Sequence, residues 1–322
     1  MDDIVVSTFP LLNLPINAIL NTFRTMDPVQ VFGVSILSKK TKNLVESFKI
    51  TPEMLQVEVA EMFVINFILP SDTTFYFELY QVPENQPLLE LGTPETIHIH
   101  CNSQVMVWTN SMNVKQLLDH LRIIFHRPID KLFFEENCER FSLESIHKNV
   151  TDVVMINIFS GNHEHNRRIL SLFQPAALCL VEHALVDQCV PRDILMQNFD
   201  LFHVPDVQII LDDLLMTNSR FILLFCLRLS WKTLNQFLKL WVKGSNLRLE
   251  YLFLRFPDNL GLDELFNGLK YQDAPPKREL LKAYGGRDIW RFDGTQATIS
   301  TDIRDDLVSF RMFVWHDHRV VN

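Results

Sequence analysis

Residues 9–50 read FPLLNLPINAILNTFRTMDPVQVFGVSILSKKTKNLVESFKI, and two prolines in this stretch decide how the chain begins. Pro15 follows Leu14 and opens an apolar run, and Pro28 follows Asp27. In the first turn of a helix the N–H that proline lacks has no intrahelical partner anyway, so each proline marks a helix start, with Asp27 as an N-cap. Ile16, Ile19, Leu20 and Phe23 recur at three- and four-residue spacing and share one helix face. Beyond Pro28 come Val31, Phe32, Val34, Ile36 and Leu37, then Ser38-Lys39-Lys40-Thr41-Lys42 and a last turn with Leu44, Val45 and Phe48. The stretch therefore predicts three short apolar helices. So small a unit cannot bury that much apolar surface alone, and the excess is covered either by the rest of the chain, as a helical cap, or by a partner.

Outward from this stretch, a chain of 322 residues with 47% hydrophobic content is long enough for several domains with a proper core. A net charge of -9, with only Lys39-Lys40 and Arg167-Arg168 as local basic groups, excludes a nucleic-acid footprint. Met1-Asp2-Asp3 puts no basic region ahead of an apolar stretch, and the longest apolar run, Phe221 to Leu227, is far too short for a bilayer. A soluble, intracellular protein of the cytoplasm or nucleus, with no membrane partner, is expected. Cys101, Cys138, Cys179, Cys189 and Cys226 are odd in number and mostly in apolar surroundings, which suits reduced core thiols.

From Gln56 to about Trp108 the texture changes to alternation, and VEVAEMFVINFIL, TFYFELYQV, TIHIHC and QVMVW read as strands of a small antiparallel sheet. They are separated by Pro70-Ser71-Asp72, by residues 83–87 and by Asn102-Ser103. A helix follows over about 113–126, with Val114, Leu117, Leu118, Leu121, Ile124 and Phe125 on one face. Then the template L-x-x-L-x-L, with any apolar residue allowed, fits Ile129/Leu132/Phe134, Val153/Ile156/Ile158, Phe199/Phe202/Val204, Phe221/Leu224/Cys226 and Leu249/Leu252/Leu254; Pro175/Leu178/Leu180 fits in part. The segments between copies (142–149, 166–173, 192–197, 207–218 and 232–243) are of helical type. A strand followed by a helix at a short period gives parallel strands stacked into an arc. In such an arc Phe133, Asn157, Cys179, His203, Phe225 and Phe253 point away from the helices, and the aromatics Phe133, Phe225 and Phe253 are the candidate target contacts. Near the end, Asp293-Gly294 predicts a hairpin between strands at 288–292 and 296–301, and a last strand at 309–315 completes a small antiparallel edge.

No catalytic constellation emerges. His98-Ile99-His100 puts two imidazoles on one strand face with no cysteine or carboxylate in register, and His163-Glu164-His165 follows the loop signal Gly161-Asn162. Gly285-Gly286 reads as a turn, and Asp212-Asp213 and Glu135-Glu136 are sequence neighbours that point to different faces. We expect no enzyme, no cofactor and no metal site.

Leu14-Pro15, Ile19-Leu20, Phe23, Met26-Asp27-Pro28, Val31-Phe32 and Leu37-Ser38-Lys39-Lys40 closely resemble an F-box, which opens on Leu-Pro, runs through an amphipathic helix to an Asp-Pro turn and ends in a basic helix. Many F-boxes carry tryptophan near position 41, where this chain has Thr41; the nematode branch commonly shows the Ser-Lys-Lys pattern. Leu211 to Ser219, and Trp231 to Trp241 followed by Gly244-Ser245-Asn246 and Leu247 to Leu252, look like a type-2 F-box-associated domain, in which proline is frequent where this chain has Leu247. The resemblance covers about residues 9–255.

It implies a substrate receptor of an SCF-type cullin-RING ubiquitin ligase. Leu14, Pro15, Ile16, Ile19, Leu20, Phe23, Met26, Pro28, Val31 and Phe32 would dock on a Skp-family adaptor carried by a cullin scaffold, the C-terminal part would hold a target protein, and the transfer chemistry would belong to other subunits. The alternatives are a non-degradative adaptor-binding scaffold and a stand-alone repeat interaction protein. The expected fold is mixed α/β: a three-helix F-box (9–50), an antiparallel β connector (51–110), a leucine-rich-repeat-like α/β arc with parallel strands (111–256) and a C-terminal loop with a β-hairpin (257–322).

Overall fold

The opening helices are α1 (Ile16–Thr25), α2 (Pro28–Ser35) and α3 (Lys39–Ser47), and side-chain caps begin the second and third. At α2 the Asp27 carboxylate accepts the Gln30 N–H at 2.8 Å, while the Gln30 side chain accepts the Asp27 N–H at 3.2 Å. Ser38 and Thr41 repeat the device at α3, with Thr41 N–H donating to Ser38 Oγ at 3.2 Å and Ser38 N–H to Thr41 Oγ1 at 2.9 Å. Thr41, at the position of the missing tryptophan, is thus a buried cap residue. This computed structural model describes residues 14–69, 74–81, 88–101, 104–109, 111–180, 189–226, 228–257, 264–274, 286–304 and 307–316. Residues 9–13, the expected turns at 70–72, 83–87 and 102–103, Leu227, Gly285 and the Leu20 side chain lie outside that description.

After the helices come β1 (Met54–Val59), β2 (Met62–Ile68), β3 (Thr74–Gln81), β4 (Thr96–Cys101), β5 (Gln104–Thr109) and α4 (Val114–Ile124). Strands and helices then alternate: β6 (Ile129–Phe134), α5 (Leu143–Asn149), β7 (Val153–Ile158), α6 (His163–Leu172), β8 (Ala177–Leu180), α7 (Arg192–Leu195), β9 (Leu201–Val207), α8 (Leu211–Met216), β10 (Phe221–Cys226), α9 (Trp231–Val242) and β11 (Tyr251–Pro257). The chain closes with β12 (Gln272–Asp273), β13 (Arg287–Trp290), β14 (Gln296–Arg304) and β15 (Leu307–Trp315).

All of these strands belong to one fifteen-stranded sheet in the order β12-β13-β14-β15-β11-β10-β9-β8-β7-β6-β1-β2-β3-β4-β5. The antiparallel strands β1–β5 do not stand apart as a sheet of their own. Val57 of β1 lies beside Leu132 of β6 in parallel register, so β1 occupies the edge that β6 would otherwise leave open. The C-terminal hairpin likewise continues the sheet, because β15 runs antiparallel to β11 with Leu252 opposite Met312.

The strands from β6 to β11 are parallel and advance in one direction, so right-handed crossovers set their helices on a single face. On that face Leu132, Ile156, Leu178, Phe202, Ile222 and Leu252 form one buried cross-strand row. Ile222, not Leu224, belongs to it; Leu224 lies beside Val204 and Leu254. The sequence unit Phe221/Leu224/Cys226 is therefore two residues out of register, and the matching unit is Ser219/Ile222/Leu224 with Ser219 buried. The apolar run at 221–227 satisfies the template in either phase, so only pairing could choose.

Two helix starts also differ from the sequence reading. Asn162 caps α6 by accepting the His165 N–H at 3.1 Å, which places His163-Glu164-His165 in a first helical turn, not a loop. Val207 ends β9 instead of opening a helix.

Candidate functional site

Two surfaces carry the residues singled out in the sequence. On the opening helices Ile16 is 56% exposed and Pro15 is exposed, with Leu14, Met26 and Pro28 half-buried. Ile19, Phe23, Val31 and Phe32 are buried within the chain itself. Phe23 rests on Phe48 at a ring distance of 4.5 Å. Phe32 is wedged edge-on against Phe77 (4.9 Å), Trp108 (5.2 Å) and His120 (6.0 Å), so α2 is packed on both the sheet and α4. An indole therefore meets the module after all, supplied by β5. Leu37, at the α2–α3 junction, is 73% exposed and stands outside the set expected to meet a partner.

Beneath the wedge, Ser35 Oγ donates to the Phe32 carbonyl (2.6 Å) and lies 2.7 Å from His120 Nε2. Burial, helped by the Lys42 charge, pushes the imidazole down to about 4. His120 is neutral at pH 7, which suits a contact with no carboxylate in it.

The second surface is the helix-free face. Its central row is Phe133, Asn157, Cys179, His203, Leu223 and Phe253, so Leu223 takes the place expected for Phe225, which sits one pair further on, beside Arg255. The Phe225 ring still reaches His203 (6.0 Å) and Phe253 (6.2 Å), while Phe133 meets Phe159 (5.9 Å). Cations lie over three of these rings: Lys131 over Phe133, Arg255 over Phe225 and Arg311 over Phe253, at 5.9, 5.9 and 5.4 Å. Cys179 Sγ is 3.2 Å from His203 Nδ1. Burial pushes the thiol up against the opposing Lys131 charge, and it pushes the imidazole down, so the pair is a neutral hydrogen bond and holds no activated thiolate.

At the far side of this face His98 and His100 do share a strand face, but they have a carboxylate in register. Glu78 pairs with His98 across β3 and β4, and its oxygens lie 3.3 Å from His100 Nε2 and 3.9 Å from His98 Nδ1. Tyr76 stacks on His100 at 4.3 Å. Register across two strands is invisible to a reading of either one. Among the described residues no three His, Cys, Asp or Glu side chains are placed to hold a metal ion, and no helix is long and apolar enough to cross a membrane.

The motifs that carry the second resemblance prove structural. Asp200, Arg220 and Glu250 each immediately precede a strand, and the Arg220 guanidinium joins them, donating to Glu250 at 2.6 Å and to Asp200 at 3.3 Å. Asn246 Nδ2 donates to the carbonyls of Leu214 (3.0 Å) and Thr217 (2.8 Å), tying the turn after α9 to the end of α8. Gly244 has φ +109°, and the Phe292 ring would stand 2.6 Å from a Cβ placed there.

Comparison with known proteins finds two families along the chain. The F-box domain family matches residues 11–53 and the F-box associated family matches residues 190–254. Over 311 residues, 91% of this chain and 94% of the relative, the chain is 24% identical to the F-box associated domain-containing protein sdz-33 of Caenorhabditis elegans. No solved structure matches. With the helices α1–α3 at its start and the Arg220-joined strands β9–β11 behind them, the chain is a nematode-type F-box protein with a type-2 F-box-associated domain.

Proposed function

We propose that the chain is the substrate-recognition subunit of an SCF-type cullin-RING ubiquitin ligase, working inside the cell. The observation that carries the reading is the ordered pair of an F-box and an F-box-associated domain, with Leu14, Pro15 and Ile16 left accessible at the start of the first. Families of this kind are typically adaptors or receptors, and the chain contributes proximity, not bond-making. Leu14, Pro15, Ile16, Met26 and Pro28 form the Skp-family docking ridge; Ile19, Phe23, Val31 and Phe32 hold its shape from below. The parallel strands β6–β11 act as a leucine-rich-repeat-like arc behind the connector at 51–110, and their helix-free face holds the target through Phe133, Phe225 and Phe253.

Deleting residues 9–50 would uncover Phe77, Trp108 and His120, so point changes test the proposal better. Pro15→Ala with Ile16→Asp should abolish co-purification with a Skp-family adaptor while leaving the melting temperature near that of the parent. Undiminished adaptor binding would end the docking assignment. A protein bound by the parent should accumulate in cells carrying the double variant, and a bound protein whose level stays constant would mean a scaffold instead.

A further inference from the structure

Between β1 and β15 the helix-free face changes sign: carboxylates lie on the β1 side, where Lys131 also stands over Phe133, and guanidiniums on the β15 side. Cross-strand pairing gives the continuous row Glu58, Phe133, Asn157, Cys179, His203, Leu223, Phe253 and Arg311. Eight strands separate into seven spacings of about 4.8 Å, so the carboxylate and the guanidinium stand roughly 33 Å apart, the reach of about ten extended residues. Glu135 extends the acidic end, where burial and the neighbouring Glu58 and Glu136 raise its carboxyl. Glu58 accepts from the neutral Asn66 amide at 3.3 Å. Arg255, exposed over Phe225, extends the basic end.

Within the row, Asn157 is only 5% exposed, and its Nδ2 is buried with no hydrogen-bond partner among the described residues. Buried donors are nearly always paired, and the broad χ2 well of asparagine lets this amide swing toward an acceptor arriving over the row. Each strand from β1 to β15 along this row is already hydrogen-bonded on both sides, so a ligand cannot join as a further strand and must be read by side chains.

Resting on the reading of this face as the target surface, we infer that it receives one segment of the target protein laid across the strands. The segment is cationic over Glu58 and Glu135, apolar across the middle with a carbonyl toward Asn157, and anionic over Arg255 and Arg311.

Phage-displayed random peptides of about twelve residues, panned on the full chain, test this. Selected peptides should segregate Lys/Arg and Asp/Glu to opposite ends of an apolar centre. Their affinity, read by fluorescence polarisation, should fall about ten-fold or more on Glu58→Lys with Glu135→Lys and on Arg255→Glu with Arg311→Glu. Inverting the charge at the matching end of the peptide should restore it. Glu58→Gln with Glu135→Gln, which keeps side-chain shape, should weaken binding in the same direction and so separates charge from misfolding. Peptides without segregated charge, unchanged binding to the charge variants, or no binder at all would overturn the inference. If Phe133→Ala with Phe253→Ala also leaves a selected peptide's affinity unchanged, the face is not the target surface either; if those alone weaken it, only the charge pattern falls.

Discussion

The two faces of the central strands share a backbone and differ by one residue in phase. Leu132, Ile156, Leu178, Phe202, Ile222 and Leu252 turn one way, and Phe133, Asn157, Cys179, His203, Leu223 and Phe253 turn the other. The first row is uniformly apolar and buried. The second mixes an amide, a thiol, an imidazole and half-buried rings, none of which a helix-covered core requires. Among the described residues each side also holds a neutral histidine pair, Ser35–His120 under the helices and the half-buried Cys179–His203 on the helix-free face. What a face must do, more than what strand it sits on, decides its residues.

Paired truncations break or sharpen that contrast. Leu252→Ala should cost about 4 kcal/mol in urea unfolding through transfer and cavity terms, and Phe253→Ala beside it about 1 kcal/mol. Equal costs would erase the distinction between the faces.

The histidine pairs give the next test. His120 has its folded value depressed from 6.5 to about 4, so its contribution is fully present above pH 6.5 and is lost as pH falls toward 4. That loss should approach about 3 kcal/mol in the parent and be absent from the pH profile of His120→Gln. A parent profile flat over this window would mean that the helix-side pair is not sealed.

Gly244→Ala should cost about 2 kcal/mol, because it meets both the left-handed backbone and the Phe292 ring. Adding Phe292→Ala should recover the steric share alone, read as a partial return of the melting temperature. Cys179→Ser, on the open face, should change stability by less than about 1 kcal/mol, and a thermal melt that drops as far as that of Gly244→Ala would move Cys179 into the structural class.

Local chemistry was legible in the sequence; distant pairing was not. Asp27-Pro28 and Asp293-Gly294 announced a cap and a turn that the structure contains, because each acts within four residues, while the same local device at Ser38 went unread. Asn162 gave the same kind of signal and was overridden by its loop-like neighbour Gly161. Nothing local could show that β1 would seat itself beside β6, that Glu78 would face two histidines, or that the apolar run at 221–227 would choose Ile222 for the core row. The residues proposed for docking were a mixed set for a related reason. Val31 and Phe32 are the same kinds of residue whether they meet a partner or Phe77 and Trp108, and only folding assigns them inward.

The Phe32 wedge has a mechanical side. It fastens α2 to the sheet whose helix-free face carries Phe133 and Phe253, so the opening helices and that face are joined by packing and not only by the chain. On the proposed function, a target held on that face would have its bearing set once, at folding, instead of being sampled by a swinging linker. Slackening the wedge, by Phe32→Leu for instance, would widen the arc swept by the cargo without altering the grip on it.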